Sequence, residues 1–182
     1  MSPSPCIVFS AFRSATDPRL QGWTAFRQNV HAESRSVATA TDAHVRPRKR
    51  AGSSPGPASS NSGIWRLVAP NSRELGRSSC VYPSFARARA HVLELKDLVD
   101  EMVTTTMTGP TAWTHGWIVA VGDVVVMTTG RWYGAASSSR AAAAGTIQAL
   151  RNARVSDDPR HSAESGRRSN RVLTEAERAL SW

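Results

Sequence analysis

Hydrophobic positions recur with a clear period mainly in the middle of the chain. In Trp65-Arg66-Leu67-Val68-Ala69 the Trp, Leu and Ala share one face, the period-2 signature of a strand. Pro70-Asn71-Ser72 follows with turn chemistry. After a second short strand, Ser84 stands behind Pro83 as a natural helix N-cap. Phe85, Ala88, Val92, Leu95, Val99 and Met102 then recur at spacings of 3, 4, 3, 4 and 3. That single apolar stripe predicts a helix lying on a sheet, with Arg87, Arg89, Glu94, Lys96, Asp97, Asp100 and Glu101 on its other faces. Residues 104–116 read as a connection. Two Val-rich runs next flank Gly122-Asp123, which suits a two-residue hairpin with Gly at its first central position. One of Ser137, Ser138 or Ser139 is expected to cap a second helix that turns Ala143, Ala144, Ile147 and Leu150 inward.

These elements repeat. Strand, tight turn, strand, aromatic and Ser-capped helix occur once in about residues 64–103 and again in 117–153. Trp65 and Tyr82 are 17 positions apart, and Trp117 and Tyr133 are 16 apart. The expected fold is α+β: two ββα repeats forming one antiparallel sheet with two helices packed on one face, preceded by a disordered leader. Such a sheet has edges and an open face, and self-association would cover them.

The run Trp-Arg-Leu-Val-Ala-Pro-Asn, then Glu-Leu-Gly-Arg-Ser, then Tyr-Pro-Ser-Phe-Ala-Arg-Ala-Arg resembles the YegP-like family of small tandem ββα domains of unknown function. The resemblance covers residues 64–96 well and 117–153 more loosely. It implies a two-layer α/β fold, sometimes dimeric, with no catalytic or binding residues to carry over. The family's usual Asn-Gly turn is departed from, because Ser72 stands where that Gly would be and the second turn shortens to Gly122-Asp123.

The flanks differ in composition. Residues 1–63 hold six of the ten Pro and end in a basic cluster followed by a Pro/Gly/Ser run, so they read as a disordered Arg/Ser/Pro-rich leader and linker. Trp23, Phe26 and Val30 within them have helical spacing, but a short isolated helix is unstable in water. The apolar stretch Cys6 to Phe12 has no basic region before it and no cleavage site after it, so it does not read as a signal peptide. Residues 154–182 read as a polar tail in which Thr174 and Glu177 box the start of a short terminal helix.

The net charge of +9 divides unevenly, +5 in residues 1–63, +3 in 64–153 and +1 in the tail. Arg supplies 21 of the 23 basic residues, a usage that GC-rich coding produces by itself. The charge therefore says less about a nucleic-acid or membrane partner than its size suggests.

Motifs for phosphate-binding loops, nucleophile elbows and metal-ligand spacing are absent from the sequence. His115 and Asp123 flank the second hairpin and could meet across it as an acid/base pair, although a loop His beside a turn Asp is the simpler reading. No catalytic residue and no metal ligand is assigned.

The expectation is a small non-enzymatic, cytoplasmic interaction module that forms a homodimer. It takes no cofactor, no membrane and no small molecule identified from the sequence. The alternative is a nucleic-acid-associated protein that uses Arg46, Arg48, Lys49 and Arg50 of the leader with Arg66, Arg131 and Trp132 on an open sheet surface. Trp65 and Trp117, at equivalent repeat positions, are expected in the core.

Overall fold

A computed structural model describes residues 4–12, 17–41 and 62–161. In chain order the elements are β1 (Cys6–Phe12), α1 (Pro18–Thr41), β2 (Ser62–Val68), β3 (Glu74–Ser78), α2 (Phe85–Asp97), a 3-10 turn (Val99–Glu101), β4 (Met102–Thr108), β5 (His115–Val121), β6 (Val124–Thr128), α3 (Ala136–Asn152) and β7 (Arg154–His161).

Both expected hairpins form. Between β2 and β3, Ala69 and Arg73 close the loop through the Ala69 amide and Arg73 carbonyl (2.8 Å), and the Asn71 side chain accepts from the Arg73 amide (3.2 Å). Ser72 takes the left-handed conformation, φ 63°, at the position where glycine would fit without strain. Between β5 and β6, Gly122 has φ 55° and Val121 pairs with Val124, the geometry of a two-residue turn with Gly first. Each hairpin closes on an aromatic at its far end. Gly63 and Tyr82 exchange two backbone hydrogen bonds (2.9 and 2.8 Å), and His115 and Tyr133 do the same (2.8 Å each).

All strands join one mixed sheet of order β4-β5-β6-β3-β2-β1-β7. The hairpins abut through antiparallel β3 and β6, and only β1 and β7 run parallel. Successive strand residues face opposite sides, and the packing follows that alternation. Trp65, Leu67, Trp117 and Val119 point to one face, where they meet Ala88, Val92 and Leu95 of α2 and Ala143 and Leu150 of α3. Trp65 and Trp117 are completely buried there, as their repeat positions predict. Phe85 stands edge-on to Phe9 at 4.9 Å.

The other face is not open. Ile64 and Phe12 pack on Leu20 and Trp23 of α1, and Ile118 and Met107 pack on Val30. The domain therefore has three layers, with α2 and α3 on one side of the sheet and α1 on the other. Arg27 secures α1: Nη1 donates to the Ser79 carbonyl (3.0 Å) and the guanidinium lies 5.1 Å above the Trp23 ring.

Several further expectations are corrected. The start of the leader is not disordered. Its seven-residue apolar stretch is a strand paired on both sides, and Asp17 caps α1 by accepting from the Arg19 amide (2.9 Å), with Pro18 in the first turn. The stripe from Phe85 leaves the α-helix at Asp97, so Met102 begins β4 instead of ending α2. Part of the supposed connection 104–116 is thus a strand. None of Ser137, Ser138 or Ser139 caps α3, which starts without a side-chain cap; Ser139 is buried and donates to the Gly116 carbonyl (2.8 Å). Ala144 is exposed, and Thr146 takes a buried position instead. The tail contributes β7 before its remaining residues, and the expected helix from Thr174 lies outside the described residues.

Candidate functional site

The residues expected to form an open Arg/Trp surface are not brought together as one. Trp132 packs on Phe26 of α1, with ring centroids 5.4 Å apart. It also fills space left by two glycines: a Cβ on Gly116 would lie 2.5 Å from its ring, and one on Gly109 would also overlap it. Trp132 thus belongs to the packing beneath α1. Arg66 reaches Glu74 at 3.6 Å, and Arg77 also binds Glu74 through Nε, so the single carboxylate takes a guanidinium on each oxygen. Arg131 is exposed, its guanidinium 4.9 Å above the Tyr133 ring. Arg46, Arg48, Lys49 and Arg50 lie outside the described residues. His115 begins the extended β5 and Asp123 lies in the turn past its other end, roughly 20 Å away at about 3.4 Å per residue. They form no acid/base pair.

Three features emerge that the sequence did not single out. The first is a polar chain under α2. Trp65 Nε1 donates to the Tyr82 hydroxyl (3.1 Å), which lies 2.5 Å from His91 Nδ1. The hydroxyl accepts from the indole, and its own proton can go to Nδ1 where the neutral imidazole leaves that nitrogen unprotonated. Burial agrees with that assignment. It pushes the Tyr82 hydroxyl far above the ordinary tyrosine range, with the neighbouring Cys80 acting in the same direction. It also lowers the His91 pKa, against an opposing effect of Glu94. The chain ties β2, the end of the first hairpin and α2 together.

The second feature is a cavity of about 220 Å³ where the β2–β3 turn, the segment after β6 and α3 meet. Arg73, Glu74, Arg131 and Tyr133 line it, with Ala141, Ala142 and Gly145 of α3 as a wall of small residues.

The third is the sheet's edges, which differ in chemistry. β7 carries Asp157, Asp158 and Pro159, and charge and proline both discourage further strand addition. β4 reads Met-Val-Thr-Thr-Thr-Met-Thr, with no charge and no proline, and Val103 is 62% exposed. The loop after β4 holds Trp113 in the left-handed region, φ 66°, with 85% of its surface exposed. A bulky residue there is an outlier among non-glycine conformations.

Among the described residues no three His, Cys, Asp or Glu side chains gather to hold a metal, and no helix is long and apolar enough to cross a membrane. No protein-family model, curated protein or solved structure matches this chain.

Proposed function

We propose that this chain is a non-enzymatic interaction module that self-associates by pairing β4 with β4 of a second copy. The observation that carries the reading is the contrast between the edges: β7 bears charge and proline, while β4 presents seven uncharged, proline-free residues. An antiparallel pair centred on Thr105 sets Thr104 beside the partner's Thr106 and Val103 beside the partner's Met107, with no like charges opposed. In that register each copy's loop 109–114, with Trp113, lies beside the 3-10 turn of the other. An exposed Trp suits a contact that concentrates binding energy.

The two hairpin–helix units read as copies of one ββα unit, in keeping with the resemblance to the YegP-like family. Support comes from the matched bridges Gly63–Tyr82 and His115–Tyr133 and the matched buried Trp65 and Trp117. With α1 on the second face, association through that face is unavailable, and the edge takes its place.

Sedimentation equilibrium of the full chain tests the reading, with Val103→Lys/Thr104→Lys as the variant. Both side chains are exposed, so the fold should survive, as circular dichroism would verify. A dimer that the paired lysines convert to folded monomer is expected. A wild-type chain that stays monomeric at every accessible concentration, or a dimer indifferent to the substitutions, would overturn it.

A further inference from the structure

We propose that the cavity beside α3 binds a small organic anion, its carboxylate or phosphate held between Arg73 and Arg131 and its apolar body lying on Ala141, Ala142 and Gly145. This does not depend on β4 pairing.

Three observations carry the inference. The first is charge. Glu74 also lines the cavity, but both its oxygens are engaged by Arg66 and Arg77. Arg73 and Arg131 have no ion-pair partner among the described residues, and Arg131 is steadied over Tyr133. The cavity thus keeps two guanidinium groups whose planar forks match carboxylate or phosphate oxygens.

The second is Gly145. It sits inside α3, where glycine weakens a helix relative to alanine. A Cβ there would meet nothing within 4 Å, so the protein's own packing does not require glycine. The space it leaves opens into the cavity. The third is the Tyr133 side chain in the same wall, whose hydroxyl has no hydrogen-bond partner among the described residues. It is available to an anion or to a polar group on the ligand.

Size narrows the class. A volume of about 220 Å³ lies below the ~300–1,000 Å³ of pockets for larger ligands. A single ring bearing one anionic group fits that scale.

The test is titration of the full chain, followed by amide NMR and calorimetry, with benzoate, phenyl phosphate and inorganic phosphate as probes. Saturable shifts at the amides of Tyr133, Ala142 and Gly145 are expected with at least one aryl anion, and the tighter of the two identifies the anionic group. Arg73→Gln/Arg131→Gln should weaken binding by about tenfold or more. Gly145→Leu, which adds a better helix former and fills the space, should abolish binding while leaving the fold intact. The inference is overturned if neither aryl anion binds, if the variants bind like the wild type, or if inorganic phosphate binds as tightly as phenyl phosphate.

Discussion

Lys96 is one of two lysines in a chain with 21 arginines, and its position accounts for the choice. From the last turn of α2 its Nζ donates to three carbonyls at the end of α3: Leu150 (3.0 Å), Arg151 (3.0 Å) and Ala153 (2.7 Å). A helix leaves its last carbonyls without partners and carries partial negative charge there. An ammonium with three divergent donors satisfies a converging set of acceptors, which a planar guanidinium cannot do. Replacing Lys96 with Met keeps the apolar stem and removes the donors. The loss is less than three full charged hydrogen bonds. Leu150 still accepts from the Ala153 amide (3.2 Å), and the exposed bond to Arg151 can pass to water. One half-buried acceptor at Ala153 and the helix-end charge interaction remain, together about 1–2 kcal/mol. Urea denaturation should show a lower midpoint with an unchanged slope, and a thermal shift of about 2–4 °C per kcal/mol. Lys96→Arg should recover less than half of the loss. A Lys96→Met variant within about 0.3 kcal/mol of wild type would refute the argument, as would full recovery by Arg.

Further expectations follow from the same structure. Ser72→Gly should stabilise the domain by about 0.5–1 kcal/mol, read by urea melts, because glycine relieves the left-handed strain at φ 63° and returns part of the gain as chain entropy. His91 has a folded-state pKa below the ordinary value of about 6.5, so the unfolded chain binds the extra proton first. Its contribution is complete above that value and is lost as pH falls from it toward the folded pKa. The drop in urea midpoint between about pH 7 and 5 should therefore be smaller in His91→Gln, and an identical drop would refute the neutral imidazole. Deleting residues 1–41 removes Ile7, Val8, Phe9, Phe12, Leu20, Trp23 and Val30, all buried. At roughly 2 kcal/mol each, they rival the whole 5–15 kcal/mol stability of a domain. The remainder should lose cooperative unfolding in calorimetry.

Strong local periodicity made part of this fold legible. Ser84 caps α2 as expected, accepting from the Arg87 amide at 3.3 Å, and the buried stripe of Ala88, Val92 and Leu95 is the one the spacing gives. The turn at Gly122-Asp123 carries its own backbone chemistry. What stayed hidden depends on partners far along the chain. Cys6 to Phe12 has no period, because a strand covered on both faces has no polar face to mark it. The helix after Asp17-Pro18 has start signals, yet its apolar residues gain stability only against Ile64, Met107 and Ile118. Met102 fits the helical stripe and the strand equally well, so the end of α2 and the start of β4 merged in the pattern. The cavity could not be read at all. It joins Arg73, Arg131 and Gly145 across three elements, and only the pairing of β3 with β6 brings those elements together.

The most direct test of edge pairing is amide hydrogen exchange on the full chain at low and high protein concentration. Outward-facing amides of β4 should slow as concentration rises, while those of β7 and α1 keep the same rates. Exchange in β4 that is independent of concentration, or protection that grows on β7 instead, would contradict the account.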